Sequence, residues 1–161
     1  MTCHWRQMGL QDIDAAFDVA AVAHTSLPER WEVFAERLSL FPQGCQVLEA
    51  DGKVVGYALS HPIRRFEPPA LDSLLGQIAV DANDYYIHDV AILPEARGGQ
   101  AAAVIERLLK VAADYETASL VSVYGTSGYW GRFGFAPASH DMTKKLEPYG
   151  DSAVYMIRQM S

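Results

Sequence analysis

The chain has 161 residues, half of them hydrophobic and 20% charged, which fits one globular α/β domain spanning residues 1–161 with a sizeable core. Its formal charge of −7 argues against a polyanion such as nucleic acid as partner and suits a cationic amine, although many acidic proteins have no such partner. The two cysteines, Cys3 and Cys45, stand far apart, and no metal-ligand spacing is visible, so a reducing, cytoplasmic setting without a bound metal is expected.

Cys3–Met8 reads as a first strand. A helix is expected from Leu10 to about His24, with Asp12 as cap and Ile13, Phe17, Ala20 and Ala21 as its apolar stripe. Pro28-Glu29 is expected to open a second helix ending near Leu40. Gln46–Ala50 and Val54–Ser60 form a hairpin about Asp51-Gly52. His61–Asp84 is a long connection with three prolines and a short helix near Leu71–Gly76; connections of that length are often functional. Ser119–Tyr124 is a strand, Ser127–Arg132 a short helix and Ala153–Met160 a last strand. No secretory leader pattern is visible and no apolar run is long enough to cross a bilayer, so a membrane is not an expected partner.

The most informative stretch is Tyr85–Ala113. Tyr85–Leu93 is rich in aromatic and β-branched residues and Pro94 ends it; Arg97-Gly98-Gly99 follows, and then a helix with Val104, Ile105, Leu108, Leu109, Val111 and Ala112 on its apolar side. That order points a helix N-terminus beyond the end of a strand. The first backbone N–H groups of a helix have no partner within it and the helix dipole adds positive charge, so a phosphate fits there. An ordinary strand-turn-helix with a glycine turn is the other reading. The glycine signatures of nucleotide triphosphatases and of dinucleotide folds are absent.

This run resembles the coenzyme-binding motif of the GNAT N-acetyltransferases, a strand followed by Arg/Gln-x-x-Gly-x-Gly/Ala opening a helix. Arg97 takes its first position and Ala102 its last, while Gln100 stands where the first motif glycine is usual. Tyr129–Phe135, reading YWGRFGF, is similar to the family's aromatic signature near the C-terminus. With His88-Asp89 ahead of the first motif, the chain resembles small bacterial members. The resemblance implies a mixed, mostly antiparallel sheet with splayed middle strands and helices on both faces. It implies acetyl-CoA as cosubstrate in the gap, its pantetheine arm on main-chain groups of Val90, Ala91 and Ile92. The pyrophosphate would meet the amides of Gly98, Gly99, Gln100, Ala101, Ala102 and Ala103. Arg97 either adds charge to the phosphate or pairs with Glu95 or solvent; Gln100 either crowds the ligand or donates to it. Trp130 stands where the family often has an acidic tyrosine and is expected to wall the site.

Acetyl transfer needs a base for the amine, polarisation of the thioester carbonyl and a proton for the leaving thiolate. Strict alternation puts Tyr86, His88, Val90 and Ile92 on one face and Ile87, Asp89 and Ala91 on the other. His88 and Tyr86 match positions that carry a base in some GNAT proteins; a structural histidine is the competing reading. The proton for the sulfur comes either through water or from Tyr124, the candidate acid. Glu29, Trp31, Phe34, Tyr57, His61 and Glu67 are candidates for the acceptor pocket, while His24, His140 and His4 read as surface or structural. The expected activity is direct transfer of acetyl to a primary amine of a small molecule or peptide, with a homodimer left open. A module that binds CoA without turnover is the alternative.

Overall fold

The computed structural model describes residues 2–160. One sheet runs through it, built from β1 (Cys3–Gln7), β2 (Cys45–Ala50), β3 (Lys53–Ile63), β4 (Asp84–Ile92), β5 (Thr117–Ser122), β6 (Ala136–Pro137) and β7 (Val154–Gln159). The strand order is β1-β2-β3-β4-β5-β7-β6, and every neighbouring pair is antiparallel except β4–β5. The helices are α1 (Ile13–Ala23), α2 (Trp31–Leu40), α3 (Gln100–Ala112) and the short α4 (Ser127–Gly131) and α5 (Thr143–Leu146).

Two cores lie on opposite faces of the sheet. Ile13, Ala16 and Val19 of α1 and Phe34 and Leu38 of α2 pack on Val47, Tyr57, Leu59 and Ala91. Val104, Leu108 and Ala112 of α3 pack on Leu48, Val55, Ala58, Tyr85, Ile87 and Leu120. Burying each large apolar side chain stabilises by about 1.5–3 kcal/mol. Asp51 and Gly52 turn the β2–β3 hairpin with φ of 52° and 79°, the pair of left-handed residues a tight two-residue turn requires.

Several segments depart from expectation for physical reasons. The second helix begins at Trp31, because Arg30 is extended (ψ 156°); Pro28–Arg30 therefore leaves Glu29 outside the helix. Asp12 does not cap α1 but accepts from the Gly9 amide at 2.8 Å and pairs with Arg6 at 2.7 Å. β3 continues through His61–Ile63, and no helix forms at residues 71–76. There Asp72 is left-handed (φ 58°), and the amides of Asp72, Leu75 and Gly76 donate instead to Glu29 and Glu36 at 2.6–2.9 Å. β6 and α5 have no counterpart in the expected elements.

Two features of β4 create the site. Leu59 pairs with Asp89 and Ser60 with Ile87, so His88 is an extra residue, a β-bulge. On the other edge, β4 pairs with β5 only from Asp84–Thr117 to Ile87–Leu120. Buried Asp84 clasps that end, accepting from the hydroxyls of Thr117 at 2.8 Å and of Ser119. Beyond it β4 runs on to Ile92 without a partner on its β5 side, and the two strands splay.

Candidate active site

The bulge corrects the expected facing of β4. Tyr85, Ile87 and Ile92 lie in the α3-side core and Ala91 in the opposite one. His88 and Asp89, expected on opposite faces, both reach the α1–α2 side, because one inserted residue resets the two-residue alternation.

His88 is joined to Glu29 through Nε2 and Oε1 at 2.7 Å, with both side chains largely buried. Burial pushes the Glu29 carboxyl up, but His88, the Asp72 amide and Arg37 together outweigh it and hold Glu29 at about 2. An ionised carboxylate only accepts, so Nε2 carries the shared proton and a neutral His88 keeps its lone pair on Nδ1. Nδ1 is buried and has no hydrogen-bond partner among the described residues. The second oxygen of Glu29 takes the Asp72 amide at 2.9 Å, tying the pair to the connection before β4.

A second pair stands beside the first. His24, one residue past α1, meets Asp89 through Nε2 and Oδ1 at 2.8 Å, and Tyr57 donates its hydroxyl to Oδ2. The other nitrogen of His24 lies 3.3 Å from the Tyr124 hydroxyl, and the two rings stack at 5.8 Å. Burial pulls the His24 pKa down, yet Asp89 and Glu29 more than offset it, so it is raised. Burial, reinforced by Asp89, pushes Tyr57 well up and keeps it protonated. Tyr124 is half exposed and left-handed (φ 55°), a conformation uncommon for a large residue outside functional sites. His24, read from sequence as surface or structural, is thus part of the site; it is 65 residues from Asp89 and 100 from Tyr124, and no local pattern marks it.

His24, His88 and Asp89 border a cleft of about 220 Å³ between the splayed strands, walled by Val90, Ala101, Val121, Tyr124, Tyr129 and Trp130. A narrower hollow continues past Leu27, Glu29, Leu71 and Tyr149. Tyr86 does not border the cleft: it is 1% exposed and packs between the rings of His61 (5.5 Å) and His88 (6.0 Å). Of the other acceptor candidates, Phe34 is in the core beside Tyr57, Trp31 bonds Asp14 at the surface and Glu67 is exposed. Burial lowers buried His61 to about 3; its Nδ1–H donates to the Pro62 carbonyl at 2.9 Å. A larger hollow of about 400 Å³ between α5 and β7 includes none of the paired groups.

At the far end of the cleft, Gly98 and Gly99 have φ of 130° and 84°, and Gly99 caps the N-terminus of α3. A Cβ at either would meet nothing within 4 Å, so the space above these amides is open. Arg97 is exposed, Ala101 and Ala102 are half-buried and Ala103 is exposed. The Gln100 carbonyl accepts the Trp5 indole N–H at 2.8 Å, which anchors the start of α3 to β1. Ala91 and Ile92 are buried, so only their main chain is available to a ligand. No group of three or more His, Cys, Asp or Glu residues able to hold a metal occurs among the described residues, and burial pushes the Cys45 thiol up to about 12.

No curated protein sequence is significantly similar to this chain. Solved structures with the same fold include GphF, a GNAT-like decarboxylase in complex with isobutyryl-CoA (18% identity, 98% of this chain and 100% of that one, TM-score 0.79). The Escherichia coli ribosomal-protein-S18-alanine N-acetyltransferase matches at 17% identity over 99% and 95%, with a TM-score of 0.68. Arabidopsis thaliana Naa50, in complex with the bisubstrate analogue CoA-Ac-MVNAL, matches at 11% identity over 99% of each chain, TM-score 0.71. The family model of the acetyltransferase (GNAT) family covers residues 10–135, from the start of the first helix to the end of the aromatic signature, and to that family this chain belongs.

Proposed function

We propose that this protein transfers acetyl from acetyl-CoA directly to a primary amine of a small molecule or peptide, in the cytoplasm. The observation that carries the reading is His88 on the wall of the cleft between β4 and β5, its tautomer set by Glu29 and its buried Nδ1 without a hydrogen-bond partner among the described residues. The CoA ligands of structures that share the fold support a coenzyme of this class, and two of those proteins are described with peptide or protein acceptors. The pantetheine arm would lie along the unpaired edge of β4 at Val90, Ala91 and Ile92. The pyrophosphate would sit on the amides of Gly98–Ala102, with Arg97 beside it and Trp130 as a wall; the Ala103 amide, expected to join them, instead donates to the Gly99 carbonyl at 3.2 Å.

His88 takes the amine proton on Nδ1 as the nitrogen attacks the thioester carbonyl carbon. Main-chain N–H groups of β4 receive the developing negative charge on oxygen. The C–S bond then breaks, and Tyr124 gives its phenol proton to the thiolate. Tyr86 stands behind His88 and holds its ring rather than meeting substrate. No observation favours a CoA-binding module without turnover.

His88→Ala tests this reading. Turnover, followed as free thiol release with a panel of amines, should fall about 10²–10⁴-fold near neutral pH, where most amines are protonated, and less at about pH 9, with acetyl-CoA affinity kept. A loss below roughly threefold at every pH in a folded variant would reject His88 as the base.

A further inference from the structure

The steps above use one histidine–carboxylate pair and leave the other, His24–Asp89, without a task. That pair is not a surface ornament. Both oxygens of Asp89 are engaged, one by His24 at 2.8 Å and one by the buried Tyr57 hydroxyl. The free end of the chain of bonds is Tyr124, held against His24 by a 3.3 Å contact and by ring stacking within 14° of parallel. The left-handed backbone at Tyr124 is what turns its ring onto His24.

Resting on the acetyl-transfer reading, we propose that His24, fastened by Asp89, positions Tyr124 and resupplies its proton, so that Asp89, His24 and Tyr124 act as one relay to the leaving thiolate. Ionised Asp89 only accepts, so Nε2 of His24 carries the proton between them. With His24 neutral, Nδ1 is an acceptor, and the Tyr124 hydroxyl spends its single proton on it. With His24 charged, Nδ1–H donates to the phenol oxygen, and the phenol O–H is free to face the cleft. The working form is therefore the imidazolium.

The groups facing His24 favour that form: Asp89 from β4 and Glu29 from the segment before α2 outweigh burial, while burial holds the hydroxyls of Tyr57 and Tyr149 protonated. His88 shares the hollow and is balanced by Glu29.

In the step, an S–H bond forms as the phenol O–H breaks. The phenolate oxygen takes the Nδ1 proton, and His24 is left neutral on Asp89. Half-exposed Tyr124 opens the route by which solvent returns one proton to His24, matching the one released by the amine.

The experiment compares wild type, His24→Gln, Tyr124→Phe and the double variant by kcat and KM against pH, with thermal melting to confirm folding. His24→Gln should lower kcat about 10–100-fold while KM for acetyl-CoA stays within a factor of about two. The double variant should be no worse than Tyr124→Phe, because residues in one relay are not additive. The wild-type kcat should fall on the alkaline side as His24 loses its proton, and that fall should be missing in His24→Gln. If His24→Gln does not fold, Asp89→Asn replaces it and should move the alkaline fall to lower pH. A working wild type whose kcat and pH profile survive His24→Gln, or whose double variant loses the product of the single losses, overturns the relay alone. A wild type that releases no thiol with any amine overturns the transfer reading, and the relay with it.

Discussion

The proposed coenzyme side of the cleft is made of main chain, and the proposed acceptor side of paired side chains. Gly98 and Gly99 turn through left-handed φ ahead of α3, and β4 past Ile87 presents an edge with no strand partner toward β5. The paired side chains are drawn from separate segments: His88 on Glu29, and His24 and Tyr57 on Asp89. Main-chain donors need no charge partner of their own and cost little to keep exposed. The carboxylates of Glu29 and Asp89 are largely buried, and every one of their oxygens is hydrogen-bonded. Substitutions should therefore act mainly on affinity on the first side, and on stability and turnover together on the second.

The largest effect should come from breaking an acceptor-side pair. Glu29→Ala leaves the His88 Nε2–H and the Asp72 amide without their acceptor, and each buried donor so stranded costs about 1–3 kcal/mol. Urea unfolding should read that loss together with greatly reduced turnover. Glu29→Gln sharpens the point through pH. The folded-state pKa of Glu29 is depressed from 4.5 to about 2, so its contribution is complete above about 4.5 and disappears as pH falls toward 2. Stability of the Gln variant should lack that part of the acid slope; an identical slope in both proteins would place the acid sensitivity elsewhere.

On the coenzyme side, Gly99→Asp sets a negative charge against the expected phosphate. Titration calorimetry should show CoA binding weakened at least about tenfold, or 1.4 kcal/mol. The left-handed backbone adds a cost to the fold of roughly 1 kcal/mol. Unchanged affinity would remove the phosphate from this turn and end the contrast between the halves. The smallest effect belongs to Gln100→Gly. Tighter CoA binding would mean that the side chain crowds the ligand; weaker binding by about 0.5–1.5 kcal/mol would mean that it donates a hydrogen bond.

The legible part of the site is the part whose causes are local. Pro94 ends the strand, the two glycines take conformations other residues avoid, and the apolar spacing of Val104, Leu108 and Ala112 builds the α3 face; all lie within Tyr85–Ala113. The resemblance to GNAT proteins adds the splayed strands. The sequence alone also marks His88, but not which way it faces.

Tertiary structure decided the rest, because each remaining feature depends on partners far along the chain. The bulge at His88 arises from pairing with β3, and one inserted residue moves Asp89 to the face opposite the one its parity predicts. Residues 71–76 have no helix because Glu29 and Glu36, about forty positions away, satisfy their amides. Tyr86, equivalent to His88 by alternation, is sealed behind it by His61 from β3. His24 and Asp89 become partners only when α1 packs on the sheet and brings side chains 65 residues apart within 2.8 Å. A periodic pattern records which face of its own element a residue takes; it holds no record of which charged group another element will bring to that face, and in this cleft those meetings set the proton positions.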